Sequence, residues 1–173
     1  PYLSGLMEPY LTTVFQPLVQ TSRLCPYTCA FCVSGKTRGK LRAFPIGQIK
    51  EEITFLCHRF KDRPHFTLTL SDENFGILER DIEIAEHIRR CSVDIGWPQN
   101  VFFYNDKRFT EKAREVVRIL GPINNLGMAL ALQSENPEAL KAVNRKNLTD
   151  EQIDTAIQWA SSLNIPATTE LIF

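Results

Sequence analysis

The chain has 173 residues, and 43% of them are hydrophobic, which is enough to form the core of one domain. Its 20 basic and 20 acidic side chains cancel, which argues against a nucleic acid partner gathered by charge alone. No apolar run approaches the roughly 20 residues that cross a bilayer, so we expect no membrane association. Five cysteines without a visible secretory signal favour a reducing, cytoplasmic setting.

Strands that alternate with helices are predicted along the chain from its hydrophobic periodicity. Residues 1–18 are aromatic and proline-containing, and we interpret them as a lead-in or linker to a core domain that spans residues 19–173. The alternation predicts an α/β fold with a parallel sheet. The predicted strands are residues 19–21, 65–70, 101–104, 128–132 and 168–173, and the predicted helices start after Pro45, near Leu78, after the cap Thr110, at Pro137 and after the cap Thr149.

The fourth predicted strand, residues 128–132, is entirely apolar. Strands of parallel sheets with both faces covered read as continuous apolar runs. We therefore expect this strand to be buried on both faces.

Three of the five cysteines lie close together in the run CPYTCAFC, directly after the first predicted strand. Thiolates of Cys25, Cys29 and Cys32 at this spacing can ligate three corners of an iron–sulfur cube and leave the fourth iron open. An open metal position favours chemistry, whereas a fully ligated metal is usually structural. The alternative is a structural zinc site of the Cys3His type, completed by Cys57 and His58.

The C-x3-C-x-aromatic-C pattern, with Phe31 in the aromatic position, resembles the signature of the radical SAM enzymes. This resemblance implies that Cys25, Cys29 and Cys32 hold a [4Fe-4S] cluster whose free iron binds S-adenosylmethionine. It implies reductive cleavage of that cofactor to a 5′-deoxyadenosyl radical, within a partial, truncated (β/α)6 barrel of about five parallel strands. Phe31 is expected against the cluster or near the adenine, or else as a core aromatic.

Polar residues follow the second predicted strand in the run Ser-Asp-Glu-Asn-Phe. Reactive groups gather at the carboxyl ends of strands in parallel barrels. The resemblance places acceptors for the methionine ammonium of the cofactor here, which implies that role for Asp72, Glu73 and Asn74. The alternative is a turn rich in Asp and Asn. The third strand ends in Tyr104, Asn105 and Asp106. These residues could face the substrate, and the sequence assigns them no specific role.

The fourth strand ends in Gln133 and Ser134, which the resemblance assigns to the ribose or the methionine moiety. Ser134 or Asn136 could instead cap the next helix. Further along, the resemblance places Arg145 on the cofactor carboxylate, because a guanidinium matches a carboxylate with two hydrogen bonds. A cation at the end of a short helix is the alternative for Arg145.

The segments PYLSGLMEP and RAFPIGQI resemble those of cobalamin-binding radical SAM proteins. The likeness implies a cobalamin-binding domain outside this chain, a methyltransferase-like reaction on a small-molecule substrate, and a reducing partner such as flavodoxin or ferredoxin. A tRNA methylthiotransferase-like enzyme is the alternative within the same superfamily. Leu24 departs from the pattern, because relatives frequently carry glycine before the first cysteine, so we expect a slightly different backbone there.

The chain starts without methionine and ends within a predicted strand, so we expect a fragment that lacks the sixth strand of the barrel. An open strand edge invites pairing, and we expect the fifth strand to associate with a second copy. The remaining cysteines, Cys57 and Cys91, are predicted to be buried, unreactive thiols. The basic run after the cysteines is expected to form a solvated loop and consists of Lys36, Arg38, Lys40 and Arg42.

Overall fold

Short parallel strands form the centre of the protein in a computed structural model that describes residues 1–12, 14–34 and 40–171. One parallel sheet has the order β1-β4-β5, and a second parallel pair consists of β6 and β7. A short antiparallel pair, β2 and β3, lies between the first strand and the first helix. The strands are β1 (Leu18–Val19), β2 (Ser22–Arg23), β3 (Arg42–Ala43), β4 (Thr67–Leu70), β5 (Asn100–Phe102), β6 (Met128–Gln133) and β7 (Ala167–Leu171).

Helices connect the parallel strands, as the alternating sequence pattern predicts. Thr110 caps its helix by accepting from Ala113 N–H, and Thr149 forms a capping box with Gln152, so both predicted caps are confirmed. The helices are α1 (Ile46–Phe60), α2 (Arg80–Asp94), α3 (Glu111–Leu120), α4 (Pro137–Ala142) and α5 (Asp150–Ser162), with 3-10 turns at Glu8–Tyr10 and Gly121–Ile123. None of the helices in the described ranges is long and apolar enough to cross a membrane.

The core lies between the first sheet and the helices α1 and α2. Strand β4 alternates, with Leu68 and Leu70 buried and the intervening threonine only partly covered. Phe60 of α1 stacks on the buried Trp97 with a centroid distance of 5.6 Å. Each such side chain contributes about 1.5–3 kcal/mol by leaving water. This packing fixes the carboxyl ends of β1, β4 and β5 along one edge.

The side chain of Asn105 joins the two parallel sheets. The amide of Asn105 donates to Ala129 O at 3.0 Å and accepts from Ala129 N–H at 2.8 Å, in place of a backbone ladder between β5 and β6. Asn105 is buried, so these bonds satisfy polar atoms that have left water. The carboxyl end of β5 is thereby held beside the second residue of β6.

The predicted burial of the fourth strand on both faces is wrong. In β6, Met128 and Leu130 are buried, whereas Ala129 and Ala131 are only partly covered. These two alanines line an open cavity at the carboxyl edge. The run is apolar because one face packs on the core and the other face consists of small residues beside that cavity.

The lead-in segment packs against the core. Tyr2 and Leu11 are buried, and the Tyr2 hydroxyl donates to Leu18 O at 2.7 Å. Its role as a linker from another domain stays a prediction. The predicted end of the last strand at residues 172–173 lies outside the described residues, as do Lys36 and Arg38 of the predicted basic loop.

The predicted α/β architecture is confirmed, because all five predicted strands are present and pair in parallel. The β2–β3 pair was missed. Each of its strands has two residues, which is too short for a periodic sequence signal. It closes the base of the cysteine loop by pairing Ser22 with Ala43 and Arg23 with Arg42.

Candidate metal centre

The cysteine loop begins at a strained residue. Leu24 follows β2 and has φ of 71°, the left-handed conformation that glycine favours. An L-residue pays about 1–2 kcal/mol for this conformation. The leucine is therefore accommodated with strain in a conformation that glycine favours, and a backbone that differs from that of relatives stays a prediction.

Asp72 holds the chain that leads into this loop. The carboxylate is 2% exposed, and it accepts from the backbone N–H groups of Thr21 and Ser22 at 2.9 and 2.6 Å. The hydroxyls of the same two residues donate at 2.8 and 2.6 Å. Hydrogen bonds to an ionised acceptor are roughly twice as strong as neutral ones. Asp72 therefore positions the loop, and it does not line the cavity described below. Its predicted role as an acceptor for the methionine ammonium stays a prediction.

One cavity at the carboxyl edge of the strands brings the three loop cysteines together. Cys25, Cys29 and Cys32 all line it. The same cavity is lined by most of the residues that the sequence predicts as cofactor ligands: Phe31, Glu73, Asn74, Gln133 and Arg145. Strands β1, β4 and β6 each contribute to it through the loop that follows them, which is the placement that a parallel barrel requires.

The sulfur atoms of the loop have different neighbours. Asn74 Nδ2 donates to Cys25 Sγ at 3.1 Å, and Lys107 Nζ donates to Cys29 Sγ at 3.0 Å. Burial raises the pKa of the Cys25 thiol. Burial also acts to raise the pKa of Cys29, but Lys107 and then Arg145 outweigh it and lower that pKa. Lys107 and Arg145 thus favour the thiolate, the ligand form of cysteine, at Cys29.

Arg145 is fixed at the cavity by three contacts. Its Nη2 donates to Ala131 O, its Nε donates to Asn147 Oδ1 at 3.0 Å, and its Nη1 lies 3.9 Å from Cys29 Sγ. Helix α4 ends at Ala142, before this residue. Arg145 is therefore not simply a solvated cation at a helix end, which was the alternative for it.

The fourth strand end separates its two predicted residues. Gln133 lines the cavity with φ of 69°, a left-handed conformation. The hydroxyl of Ser134 instead accepts from Asn136 N–H at 3.2 Å, and Ser134 is not among the residues lining the cavity. Asn136 caps α4 by accepting from Glu138 N–H and Ala139 N–H. The alternative of a helix cap is thus confirmed for Asn136. Ser134 and Asp72 are the two predicted residues that do not line the cavity.

Phe31 is 43% exposed and lines the cavity, so the alternative of a core aromatic is wrong. The zinc alternative is wrong as well, because Cys57 is fully buried in the core beside Cys91 and His58 is exposed on α1. Among the described residues, no three His, Cys, Asp or Glu side chains converge as ligands of one ion. A cube places each cysteine on a different iron, so its ligands need no such convergence.

Two residues at this cavity carry contacts that the sequence did not predict. Lys107 reaches Cys29, and Tyr27 lies beneath the Lys107 ammonium with its ring centroid at 4.1 Å. The Tyr27 hydroxyl donates to Asp106 Oδ1 at 2.6 Å. The available signal was the position of Asp106 and Lys107 directly after the third predicted strand.

Comparison with known proteins agrees with this geometry. Residues 19–173 match the sequence model of the Radical SAM superfamily. The chain is 34% identical to 2-(S-pantetheinyl)-carbapenam-3-carboxylate methyltransferase of Streptantibioticus cattleyicolor and 32% identical to the cobalamin-dependent radical SAM methyltransferase TokK of Streptomyces tokunonensis. Each match covers 99% of this chain, and the chain spans only 26% of either relative.

The fold is shared with a solved structure. The radical S-adenosylmethionine methyltransferase TsrM from Kitasatospora setae, solved with cobalamin and a [4Fe-4S] cluster bound, superposes with a TM-score of 0.70. The match covers 91% of this chain and 31% of that chain at 15% sequence identity. At this identity the likeness shows a common fold.

Proposed function

This chain belongs to the radical SAM superfamily, and we propose that it forms the cluster-binding core of a cobalamin-dependent radical SAM methyltransferase. The observation that carries the proposal is the cavity that Cys25, Cys29 and Cys32 line together at the carboxyl edge of the strands. The three thiols fit three irons of a [4Fe-4S] cluster. A bound cluster would supply the electron that cleaves S-adenosylmethionine to methionine and a 5′-deoxyadenosyl radical.

The side chains around the cavity suit the polar end of S-adenosylmethionine. The exposed Glu73 carboxylate supplies an acceptor for the methionine ammonium. The Arg145 guanidinium, already held by Ala131 and Asn147, supplies donors for the methionine carboxylate. Phe31 and Gln133 line the same cavity and offer an aromatic face and an amide to the remainder of the cofactor.

Methyl transfer is proposed because both relatives that match 99% of this chain are methyltransferases. The use of cobalamin is proposed from TokK, which is cobalamin-dependent. In this proposal a cobalamin-binding domain outside this chain precedes residues 1–18, and the substrate is a small molecule. The methylthiotransferase-like alternative has no observation in this structure that favours it.

A reducing partner such as flavodoxin or ferredoxin is proposed to deliver the electron in the cytoplasm. A second cavity borders the cysteine loop beside Tyr27, and its lining contains no acidic residue. The basic residues that line this cavity are Lys107, Arg108, Lys141, Arg145 and Lys146. A cluster of positive charge speeds the association of an acidic electron carrier and makes that association dependent on salt concentration.

Self-association through the edge of β7 is proposed as well, with analytical ultracentrifugation as its test.

The test is metal and cofactor analysis of the full-length protein purified without oxygen. We expect about four irons and four sulfides per chain, an EPR signal on reduction, and 5′-deoxyadenosine from S-adenosylmethionine when a low-potential reductant is present. Retention of cobalamin through gel filtration tests the cobalamin part separately. Zinc in place of iron and sulfide would defeat the whole proposal, and a cluster without cobalamin would confine it to radical formation.

A further inference from the structure

The turn after β5 places an ammonium group on one of the cluster cysteines. Lys107 Nζ lies 3.0 Å from Cys29 Sγ, within hydrogen-bond distance, and 4.1 Å from the centroid of the Tyr27 ring. A cation held over an aromatic face is attracted by its electron-rich surface. The ammonium is therefore fixed between a sulfur atom and a ring, and is not free in solvent.

The Tyr27 ring and the backbone turn that carries Lys107 are themselves held by hydrogen bonds. The Tyr27 hydroxyl donates to Asp106 Oδ1 at 2.6 Å, and Asp106 is 1% exposed. The backbone of Asp106 donates to Phe75 O at 3.0 Å, which ties the turn to the loop after β4. Because Lys107 follows Asp106 directly, the fold delivers its side chain to the cysteine loop with little freedom.

The positive charge at this position is not neutralised by an ion pair. In the part of the chain that the structure describes, none of the salt bridges involves Lys107. Cys29 also has the Arg145 guanidinium at 3.9 Å, whereas the neighbour of Cys25 is the neutral amide of Asn74. The cationic side of the site is thus concentrated on Cys29.

We propose that Lys107 raises the reduction potential of the cluster by donating a charged hydrogen bond to Cys29 Sγ. The inference rests on the proposed function, because it requires a cluster on this cysteine. Reduction adds one electron from a low-potential donor and no proton, so the cluster gains one negative charge. A fixed cation stabilises that added charge, and hydrogen bonds to ligand sulfurs raise cluster potentials. Lys107 acts through the cysteine and is a positioning residue, not a catalytic one.

The test is an EPR-monitored redox titration of the full-length protein with its cluster reconstituted. In Lys107→Met, we expect the equilibrium constant for one-electron reduction to fall about tenfold, which is about 59 mV for a one-electron couple. Lys107→Arg keeps the charge and should stay within about threefold of the unmodified protein. Arg108→Gln is the matched control, because Arg108 also lies against the Tyr27 ring, at 4.9 Å, and none of the hydrogen bonds to sulfur among the described residues involves it.

A Lys107→Met potential that shifts no more than that of Arg108→Gln would overturn the proposal. If Lys107→Met does not retain its cluster, the reduction constant of Tyr27→Phe is measured instead. This variant removes only the hydrogen bond to Asp106 that fixes the ring beneath the Lys107 ammonium. A fall of about threefold in its reduction constant supports the proposal, and an unchanged constant overturns it. Failure of the unmodified protein to assemble iron and sulfide would defeat the proposed function itself, so the two failures are distinguishable.

Discussion

The five cysteines fall into two regions that differ in what surrounds the sulfur. Cys25, Cys29 and Cys32 lie on a loop and line a cavity at the carboxyl edge of the strands. Cys57 and Cys91 lie on α1 and α2, 0% and 5% exposed, in the packed core. The sulfur of Cys91 lies 3.6 Å from His87 Nε2, and Cys91 does not line the cavity beside the cysteine loop.

Burial alone does not separate the two regions, because Cys29 and Cys91 are both 5% exposed. A lowered pKa does not separate them either. The pKa of Cys29 is lowered by Lys107 and Arg145 against the effect of burial, and that of Cys91 is lowered mainly by a hydrogen bond from Cys57. What differs is access to a cavity at the carboxyl ends of the parallel strands. This comparison teaches that position relative to the strand ends, and not burial or pKa, separates the cysteines proposed to bind a cluster from those in the core.

The largest difference between the two regions is expected when one cysteine of each region is replaced by serine. Cys29→Ser should abolish the cluster, because a hydroxyl is a poor ligand for iron of this kind, while Cys91→Ser should retain full iron and sulfide. Iron and sulfide analysis with visible absorption measures both. Full cluster content in Cys29→Ser would contradict the assignment of the loop.

Removal of the support beneath the loop should have the next largest effect. Asp72→Ala leaves four buried donors of Thr21 and Ser22 without their acceptor, which we expect to cost about 3 kcal/mol in free energy of unfolding and to lower cluster content. Chemical denaturation measures the change. Asp62→Ala, on an exposed turn, is the matched control and should stay within about 0.5 kcal/mol. Equal stability of the two variants would show that Asp72 does not hold the loop.

A smaller effect is expected from the core region. Cys57→Ala removes a fully buried sulfur of α1 that lies beside Cys91 of α2. We expect the free energy of unfolding to fall by about 1–2 kcal/mol. Cluster content per folded chain should not change. A loss of iron in this variant would mean that the two regions are not independent, which iron analysis of the folded fraction would reveal.

The smallest effect concerns the strained residue before the loop. Leu24→Gly relieves a left-handed backbone that costs about 1–2 kcal/mol in an L-residue, against an entropic loss of about 0.5–1 kcal/mol for glycine. We therefore expect a gain of roughly 0.5–1 kcal/mol in thermal or chemical unfolding. A clear destabilisation would show that the leucine side chain contributes more by packing than its backbone costs.

The sequence predicted the features that depend on local pattern. The spacing of Cys25, Cys29 and Cys32, the alternation of β4 and the caps Thr110 and Thr149 all follow from neighbours within a few residues. The parallel arrangement follows from the alternation of strands and helices, and most of the predicted cofactor residues were identified from strand ends together with the resemblance to the radical SAM enzymes.

The features that were missed depend on contacts between distant residues. Lys107 and Cys29 are 78 positions apart, and Asp72 and Thr21 are 51 apart. No local pattern distinguishes an aspartate that binds a cofactor from one that accepts four hydrogen bonds inside the protein. The sequence indicated that Asp72 lies in a turn after a strand. Which donors its carboxylate meets depends on the pairing of β4 with β1.

The junction at Asn105 has a consequence for how the cavity encloses a ligand. Two hydrogen bonds from one amide resist sliding far less than a continuous ladder between strands does. The wall that carries the cysteines is also tied to the segment that carries Arg145, because Ala30 N–H donates to Val143 O at 2.8 Å and Asn144 Nδ2 donates to Thr28 Oγ1 at 2.7 Å. The width of the cavity along this seam therefore depends on a few polar contacts between loops and side chains, not on a strand ladder.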